Sequence, residues 1–337
     1  MTSAAPLIAD SITRTFGTHT AVDDISLTLA PGEITALLGA SGSGKTTLLR
    51  LLAGMERPDA GRVLSGSKEL SSGQTFVPIE RRKIGLVFQD FALFPHLSAL
   101  ENVMFGLRDL PKSNRVTQAE AWIDRLGLTA RRSAYPHQLS GGEQQRTAIA
   151  RALAPNPVAI LLDEPFSGLD PSMRDQVRDA ALEAVKSAEI PALLVTHDAN
   201  EAMVHADRIA IIDAGRILQI GGPEQLYRQP VSFKAACALG PVHQISRDRL
   251  PDDWKPLLPA TAKTVFYRPE AFRAIEGDQY LVSRTRLAGP VTELELKLDS
   301  GDVLYSACQP STPKHPGNHT GISLDPDLVF DFGEDET

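Results

Sequence analysis

Two continuous apolar runs stand out along the chain, Val158 to Leu162 and Ala192 to Val195, and Ile34 to Leu38 is apolar but for Thr35. Unbroken apolar runs of this length fit strands buried on both faces, as in a parallel sheet covered by helices. Ile84 to Phe88 reads the same way. Ile25-Ser26-Leu27-Thr28-Leu29 instead alternates, the mark of a half-buried antiparallel strand, and the whole of Leu7 to Leu29 reads as short strands turning at Pro31-Gly32. Helical spacing begins at Thr47 to Leu52. Between Ser98 and Pro157 it dominates: Leu100, Val103, Met104 and Leu107 mark one helix, and Trp122, Ile123 and Leu126 a second behind a Thr117-x-x-Glu120 capping box. A further helix starts at Pro171 and runs to about Ala188. Ile209 to Ile220, broken at Ala214-Gly215, reads as a hairpin, and Pro223 to Ala238 as closing helices. Past Gly240 the pattern changes to Val291, Leu294, Leu296 and Leu298 among polar residues, with the turn Asp299-Ser300-Gly301-Asp302, which predicts small β-strands. The expected fold is therefore α/β, with an antiparallel β subdomain, a helical insert over about 98–157 and a domain boundary at 240/241. Residues 241–337 form the smaller β-rich domain.

Composition narrows the function. At 337 residues and 42% hydrophobic the chain suits about two globular domains, and its net charge of −8 offers no basic footprint for nucleic acid. After Gly240 sixteen acids face ten Lys and Arg, a balance of −6, so the smaller domain and the tail Gly333-Glu334-Asp335-Glu336-Thr337 are the acidic part. Cys237 and Cys308 are too few for a disulfide scaffold and have no metal-ligand spacing. The first residues, Met1-Thr2-Ser3-Ala4-Ala5-Pro6, lack a signal-peptide pattern, and no apolar run approaches a membrane span. The expected place of the chain is the cytoplasm.

The chemistry concentrates where strands end. Gly39-Ala40-Ser41-Gly42-Ser43-Gly44-Lys45-Thr46 lies between an apolar strand and the helix opening at Thr47. Glycines there let successive backbone N–H groups turn toward phosphate oxygens, and the helix N-terminus adds partial positive charge. Lys45 is placed to reach the β- and γ-phosphates, and Thr46 has a hydroxyl that can ligate Mg²⁺. The strand at Ile84 ends on the polar Gln89, beside the aromatic-rich loop Asp90 to His96. The strand from Val158 ends in Asp163 and Glu164, carboxylates that are costly to desolvate without a partner. Mg²⁺ and a water supply one: Asp163 holds the ion's hydration shell, and Glu164 points at the attacking water. His197 closes the strand from Ala192, on the edge where ligands of α/β sheets collect. Leu139-Ser140-Gly141-Gly142-Glu143-Gln144-Gln145-Arg146 starts another helix, capped by Ser140 and Glu143, whose first turn is bare enough for close approach to phosphate. Ser167-Gly168-Leu169-Asp170 forms a loop. Phe16, next to Gly17, reads by itself as core. His96 and His137 read as ordinary structural or surface histidines.

Residues 7–240 resemble the nucleotide-binding subunit of an ABC transporter, with a P-loop, RecA-like core. Walker A is Gly39 to Thr46, the Q-loop Gln89, the family signature Leu139 to Glu143, Walker B Ile160 to Asp163 with Glu164, the D-loop Ser167 to Asp170 and the switch histidine His197. The resemblance implies that ATP and Mg²⁺ are the ligands. Phe16 then stacks on adenine, where many members have Tyr, and Gly39, Ala40, Ser41, Gly42, Ser43, Gly44, Lys45, Thr46 and Thr47 hold the phosphates. Thr46, Gln89 and Asp163 surround Mg²⁺, while Glu164, His197 and Gln89 serve catalysis. It further implies a head-to-tail homodimer, in which Ser140, Gly141, Gly142, Glu143 and Asp170 of one chain face ATP held by the other. Within the family the chain is most similar to bacterial import ATPases for ferric iron, on Gln89 to Leu97 and on Pro165-Phe166-Ser167-Gly168-Leu169-Asp170 with Arg174-Asp175-Gln176-Val177-Arg178-Asp179. The spermidine/putrescine, thiamine, and sulfate and molybdate ATPases carry close variants. Phe266-Tyr267-Arg268-Pro269-Glu270 resembles an element of the small OB-like domain attached to such ATPases, a regulatory or dimerising module. The implied partners are membrane permease subunits and, indirectly, a periplasmic binding protein, with the chain peripheral on the cytoplasmic face of the inner membrane.

Two other classes compete. A soluble ABC ATPase acting on nucleic acid or ribosomes would usually bring coiled-coil arms, zinc modules or two cassettes in one chain, and none is visible here. A P-loop small-molecule kinase leaves Leu139 to Arg146 without a role.

Overall fold

The alternating N-terminal stretch forms two long antiparallel strands, β1 (Leu7–Phe16) and β2 (His19–Leu29), with Leu7 opposite Leu29 and Phe16 opposite His19. Strand β3 (Ile34–Leu38) is buried at every residue and passes through the glycine-rich turn into α1 (Lys45–Ala53). β4 (Ala60–Ser65) and β5 (Lys68–Ser71) complete a four-stranded antiparallel sheet of order β2-β1-β4-β5. A short helix α2 (Ile79–Arg82) leads to β6 (Ile84–Val87). Three helices, α3 (Ala99–Phe105), α4 (Lys112–Arg125) and α5 (Gly141–Leu153), then precede β7 (Ala159–Asp163). The remainder is α6 (Pro171–Lys186), β8 (Ala192–Thr196), α7 (Ala199–His205), β9 (Arg208–Asp213) and β10 (Arg216–Gly221). The second sheet has the order β10-β9-β3-β8-β7-β6, with only the β10 edge antiparallel. This computed structural model describes residues 4–108, 110–169, 171–258, 262–288, 291–308 and 314–333, side chains at 171–173 and 176 excepted.

These elements form one compact unit, Met1–Pro223, and the rest of the chain a second, Glu224–Thr337. In the first unit one apolar cluster joins the two sheets: Leu48, Leu49, Leu51 and Leu52 of α1 pack with Ile12, Val22 and Leu29 of the antiparallel sheet and with Leu37, Leu161 and Val195 of the parallel one. The phosphate-loop helix is thus fixed by the core, and its N-terminus is held in place by burial of its opposite face. Among the described residues no helix is long and apolar enough to cross a membrane.

The helix behind Trp122 starts earlier than its sequence pattern predicts. α4 is capped by Pro111, and Thr117 lies within it, donating its hydroxyl back to Ser113 O at 3.3 Å. Proline tolerates the start of a helix because the N–H it lacks has no intrahelical partner there. The Ser98–Glu101 pair, by contrast, makes a reciprocal capping box at α3.

Arg82 ties the C-terminal end of α1 to the neighbouring segment. It is 3% exposed, and its guanidinium donates to Leu51 O (3.1 Å), Leu52 O (2.9 Å), Val77 O (2.8 Å) and Leu70 O (3.3 Å). Two of these carbonyls belong to the last turn of α1; Leu51 O also accepts the Gly54 N–H at 3.2 Å, whereas Leu52 O takes its donor from Arg82. Burial pushes the guanidinium pKa down to about 10, which still leaves it charged at neutral pH. Gly54 makes the approach possible: a Cβ there would lie 2.2 Å from Arg82 Nε, and its φ of +84° suits glycine.

The second unit opens with helices α8 (Pro223–Arg228) and α9 (Phe233–Ala238). Its strands are β11 (His243–Ser246), β12 (Thr264–Tyr267), β13 (Phe272–Ala288), β14 (Val291–Lys297), β15 (Val303–Cys308), β16 (His319–Leu324) and β17 (Val329–Phe330). β13 is long enough to pair with β14 over Leu281 to Ala288 and with β16 from Phe272, while β14 also pairs with β15 and β15 meets β13 at Arg273. β13, β14 and β15 therefore pair in a ring, while among the described residues β16 pairs with β13 alone. The β-rich character expected past residue 240 is present, but the unit begins at Glu224 rather than at 241. The reason is Arg268, fully buried: it donates to Tyr227 O (3.1 Å) and Ala236 O (3.2 Å) and lies 3.8 Å from the Tyr227 ring centroid, so both helices are bound to β12.

Replacing Arg82 with Met removes the guanidinium donors from Leu51 O, Leu52 O, Leu70 O and Val77 O in a buried setting. Urea unfolding of Arg82→Met is expected to show a loss of about 2–4 kcal/mol. Arg62→Met, which removes only the exposed pair with Asp10, is expected to change stability by less than about 1 kcal/mol.

Candidate functional site

The glycine-rich turn leaves β3 with Gly42 at φ +82° and Gly44 at φ +106°, and Gly44 caps α1 without any side-chain hydrogen bond. The first N–H groups of α1 therefore point outward from a bare helix end, which is an anion site. Gly39 has no room for a side chain, because a Cβ there would sit 2.3 Å from Ile212 O. Lys45 is 6% exposed and folds back on the turn, donating Nζ to Gly39 O (2.8 Å) and Ala40 O (2.9 Å). Burial lowers its pKa, opposed by the nearby Glu164 and Asp163 carboxylates. Ser41 and Thr46 are exposed, Thr47 is half-buried, and Ser43 is buried with its hydroxyl unpartnered among the described residues.

Asp163 and Glu164 arrive at the end of β7, two strands from β3 across β8. Burial raises the Asp163 pKa and the adjacent Glu164 charge raises it further, with Arg50 and Lys45 acting the other way. Glu164 has the left-handed backbone φ of +43°, unusual for a residue with a Cβ, and its N–H is fixed to Val195 O at 3.0 Å. Such a conformation costs about 1–3 kcal/mol and persists where surrounding structure imposes it, commonly at functional sites. It swings the carboxylate out of the strand register toward His197, whose Nδ1 lies 3.0 Å from Glu164 Oε2. The His197 side chain is 59% exposed, as a ligand-facing group must be. Gln89 comes in through Ser167: its Nε2 donates to Ser167 Oγ (3.3 Å), which donates to Glu164 O (3.0 Å).

Lys45, Asp163, Glu164, His197 and Gln89 are therefore brought to one edge of the parallel sheet. Phe16, at the end of β1, is 43% exposed with the Arg14 guanidinium 4.7 Å from its ring centroid, so it is a solvent-facing ring rather than core. Ser140 and Glu143 form the reciprocal capping box predicted for α5. Gly142, however, is buried against its own chain: a Cβ there would meet Val177 of α6 at 2.8 Å. Its smallness serves the packing of α5 on α6, whereas Ser140 stays exposed and Gly141 half-exposed. Among the described residues, the partners of Ser140 and Gly142 are Glu143 and Val177, not the glycine-rich turn. Asp170 lies outside the described residues.

Hard oxygen donors for Mg²⁺ are present in the right number for an ion that keeps waters and substrate phosphates: the Asp163 carboxylate, the Thr46 hydroxyl and the Gln89 amide. Burial and the neighbouring Glu164 charge both raise the pKa of this carboxylate, and a divalent cation there would act the other way. Glu201 was not anticipated. It is buried at the start of α7, burial raises its pKa, and with Glu164, His197 and Arg174 it lines a cavity of about 160 Å³. In sequence, Glu201 looks like an ordinary first-turn acid behind the Asp198 cap.

A family model described as "ABC transporter" matches residues 22–167. The chain is 36% identical to the Fe(3+) ions import ATP-binding protein FbpC of Escherichia coli O157:H7 over 95% of each chain. This chain belongs to the ABC transporter family. A second relative of the family, also named Fe(3+) ions import ATP-binding protein FbpC, from Yersinia pestis bv. Antiqua (strain Antiqua), is 47% identical over 65% of this chain. That match spans 63% of the relative, so the chain covers under two thirds of its length. Among solved ABC structures, a dimeric post-hydrolysis state of the ATP-binding cassette MJ0796 bound to ADP and Pi matches with TM-score 0.57 and 30% identity, over 64% of this chain and 98% of that one. CbiO1 of Clostridium perfringens, described as part of the ABC transporter complex cbiONQ, matches with TM-score 0.60 and 29% identity, over 66% and 90%. These likenesses agree with the P-loop architecture described above.

The raised pKa of Asp163 fixes the sign of a pH effect. Below the ordinary aspartate pKa both folded and unfolded chains carry the proton, and Asp163 costs nothing. As pH rises through the folded value the folded state must accept a charge that it disfavours. In nucleotide-free protein, Asp163→Asn is therefore expected to unfold at higher urea than wild type at neutral pH, with the gain vanishing below about pH 4. The same variant is expected to lose the Mg²⁺-dependent part of the stabilisation by ATP. An unchanged midpoint at neutral pH would contradict the assignment.

Proposed function

We propose that the chain is the ATP-hydrolysing subunit of an importer, working as a homodimer on separate membrane permease subunits, with ferric iron as cargo. The observation that carries the hydrolytic part is the Glu164–His197 pair, 3.0 Å apart at the strand ends beside Lys45. Its left-handed backbone commits Glu164 to that position. In this reading the outward N–H groups of Gly39 to Thr47 bind the phosphates, Lys45 leaves the Gly39 and Ala40 carbonyls for the β- and γ-phosphates, and Phe16 covers the adenine. Thr46, Gln89 and Asp163 would hold Mg²⁺, which neutralises charge on the β- and γ-phosphate oxygens. Glu164 takes the proton as water attacks the γ-phosphorus, while the bond to the β–γ bridging oxygen breaks and ADP leaves with that electron pair. His197 fixes the Glu164 carboxylate and meets the γ-phosphate.

Phosphoryl transfer is largely positioning and charge stabilisation, so a γ-phosphate open on one side is poorly served. The exposed Ser140 end of α5 supplies the second wall from a partner copy, with Gly141, Gly142 and Glu143 in the same turn. That such a cassette forms a dimer is stated for MJ0796, and membership of a transporter complex for cbiO1. Iron as cargo is supported by the names of the Yersinia and Escherichia relatives. With a periplasmic binding protein delivering cargo, the chain sits on the cytoplasmic face of the inner membrane. The second unit serves regulation or dimerisation.

Glu164→Gln is expected to bind ATP with unchanged affinity and to accumulate ATP-bound dimer, with turnover lower by about a hundredfold or more. Turnover near wild type would remove Glu164 as the base. Mixing inactive Ser140→Arg with inactive Lys45→Ala is expected to restore ATPase activity, since each mixed dimer has one site with both walls intact. For cargo, deletion of the gene is expected to abolish uptake of radiolabelled ferric iron while sparing polyamine, thiamine and sulfate uptake. Loss of one of those instead would overturn the iron assignment.

A further inference from the structure

The loop between Gln89 and Ser98 is held from two sides. From α3, the fully buried Asn102 accepts the Phe94 N–H (2.9 Å) and donates to Phe94 O (3.2 Å) and Leu97 O (3.0 Å), while the Phe94 ring packs on Phe105 with centroids 4.0 Å apart. From α5, Arg151 donates Nη1 to Ala92 O (2.6 Å) and Nη2 to Phe91 O (3.0 Å), with its guanidinium 5.5 Å from the Phe94 centroid. The two residues it grips are both in left-handed conformation despite having side chains, Phe91 at φ +61° and Ala92 at φ +44°. Each such residue costs about 1–3 kcal/mol, so the loop shape is imposed rather than intrinsic. The Arg151 guanidinium is the group that imposes it at this point. The Asp90 carboxylate favours its charge against the cost of burial. Behind it, α3 and α5 approach closely: a Cβ on Gly106 would lie 2.9 Å from Arg151 O.

Arg151 stands in the last turn of the helix whose cap is Ser140. At 1.5 Å per residue, about 15 Å of continuous helix joins the two ends. A hydrogen-bonded helix is stiff over that length, so rotation of its N-terminus must move the guanidinium and the two carbonyls bound to it.

We propose that Arg151 is a positioning residue that transmits nucleotide engagement at the Ser140 end of α5 to the loop Asp90–Leu97. The inference rests on the reading that Ser140 faces nucleotide held by a partner copy. At the other side of the loop, Gln89 bonds Ser167 beside Glu164. The loop is thereby tied to its own chain's hydrolytic residues through Gln89 and to the partner's nucleotide through Arg151. It reads both walls of the site. Asn102 holds the loop to α3 and transmits nothing from Ser140.

The test is hydrogen exchange over 90–97 in the full chain carrying Glu164→Gln, with and without MgATP, with dimer formation followed by size-exclusion chromatography. With Arg151 intact, MgATP is expected to change the exchange rate of the loop about fivefold or more, the lower end of ordinary coupling between sites. With Arg151→Met added, the dimer still forms and ATP affinity stays within about threefold, but the ATP-dependent difference over 90–97 disappears. A merely structural arginine would raise exchange in both states and leave their ratio intact, which would overturn the proposal. If Arg151→Met does not fold, Arg151→Lys takes its place, with the difference expected to shrink. A full-sized difference in the lysine variant would likewise overturn the proposal. Failure of the Arg151-intact protein to dimerise on MgATP would instead remove the shared-site reading beneath it.

Discussion

Two neighbouring carboxylates, Asp163 and Glu164, sit at one strand end with a single buried lysine opposite them. Adjacent like charges in a partly buried site repel, and the rise in the Asp163 pKa records that repulsion together with desolvation. A fold seeking stability alone would not keep both. The strand order β3-β8-β7 puts Lys45, His197 and the carboxylates on one edge, with His197 in hydrogen-bonding range of Glu164 and Lys45 near enough to feel both carboxylate charges. Because parallel strands all end on the same side, ligands of such sheets gather there. The repulsion between these two carboxylates is of the kind that a bound cation would relieve.

Burial keeps this arrangement precise. α1 carries the phosphate turn, and its apolar face is enclosed between two sheets. Its N-terminus is left uncapped by any side chain, while its C-terminal carbonyls are occupied by Arg82. The unsatisfied groups of the helix are therefore confined to the end that meets phosphate. α5 shows the opposite choice, since its N-terminus is capped by Ser140 and Glu143 and anchored by Gly142 on Val177.

The strand ends and the glycine turn were legible because their signals are local: continuous apolar runs specify buried strands, and Gly, Lys and Thr at fixed spacing specify the turn. Ser140 with Glu143 was legible for the same reason. Thr117 with Glu120 has the same spacing and does not cap, because the earlier proline had already started the helix. A capping pattern cannot show which of two candidate starts wins. Gly142 was read for what could approach it from outside, whereas the residue that needs its missing Cβ is Val177, thirty-five positions on. The boundary at Glu224 was set by Arg268, forty-four positions downstream, and the placement of Glu201 by Arg174 and Arg178 on another helix. Apart from Thr117, each miss depends on a contact distant in sequence, which periodicity cannot report.

The same asymmetry explains why arginines recur at the joints. Arg82, Arg151 and Arg268 each donate to main-chain carbonyls of a segment well separated in sequence: the end of α1, the loop after Gln89, and the helices α8 and α9. Carbonyls at helix ends and in tight loops lack backbone donors, and leaving them bare in the interior is costly. Arginine answers several at once, having five N–H donors in one rigid plane and a charge that persists when buried. Lysine offers a point charge without that geometry. A joint built this way is directional, since moving the arginine moves two carbonyls together, whereas an apolar contact permits sliding. Where the joint lies inside a static core, as at Arg82, directionality adds only stability. Where one side of the joint is the last turn of a long helix, as at Arg151, the same geometry lets a rotation of that helix move the loop it holds.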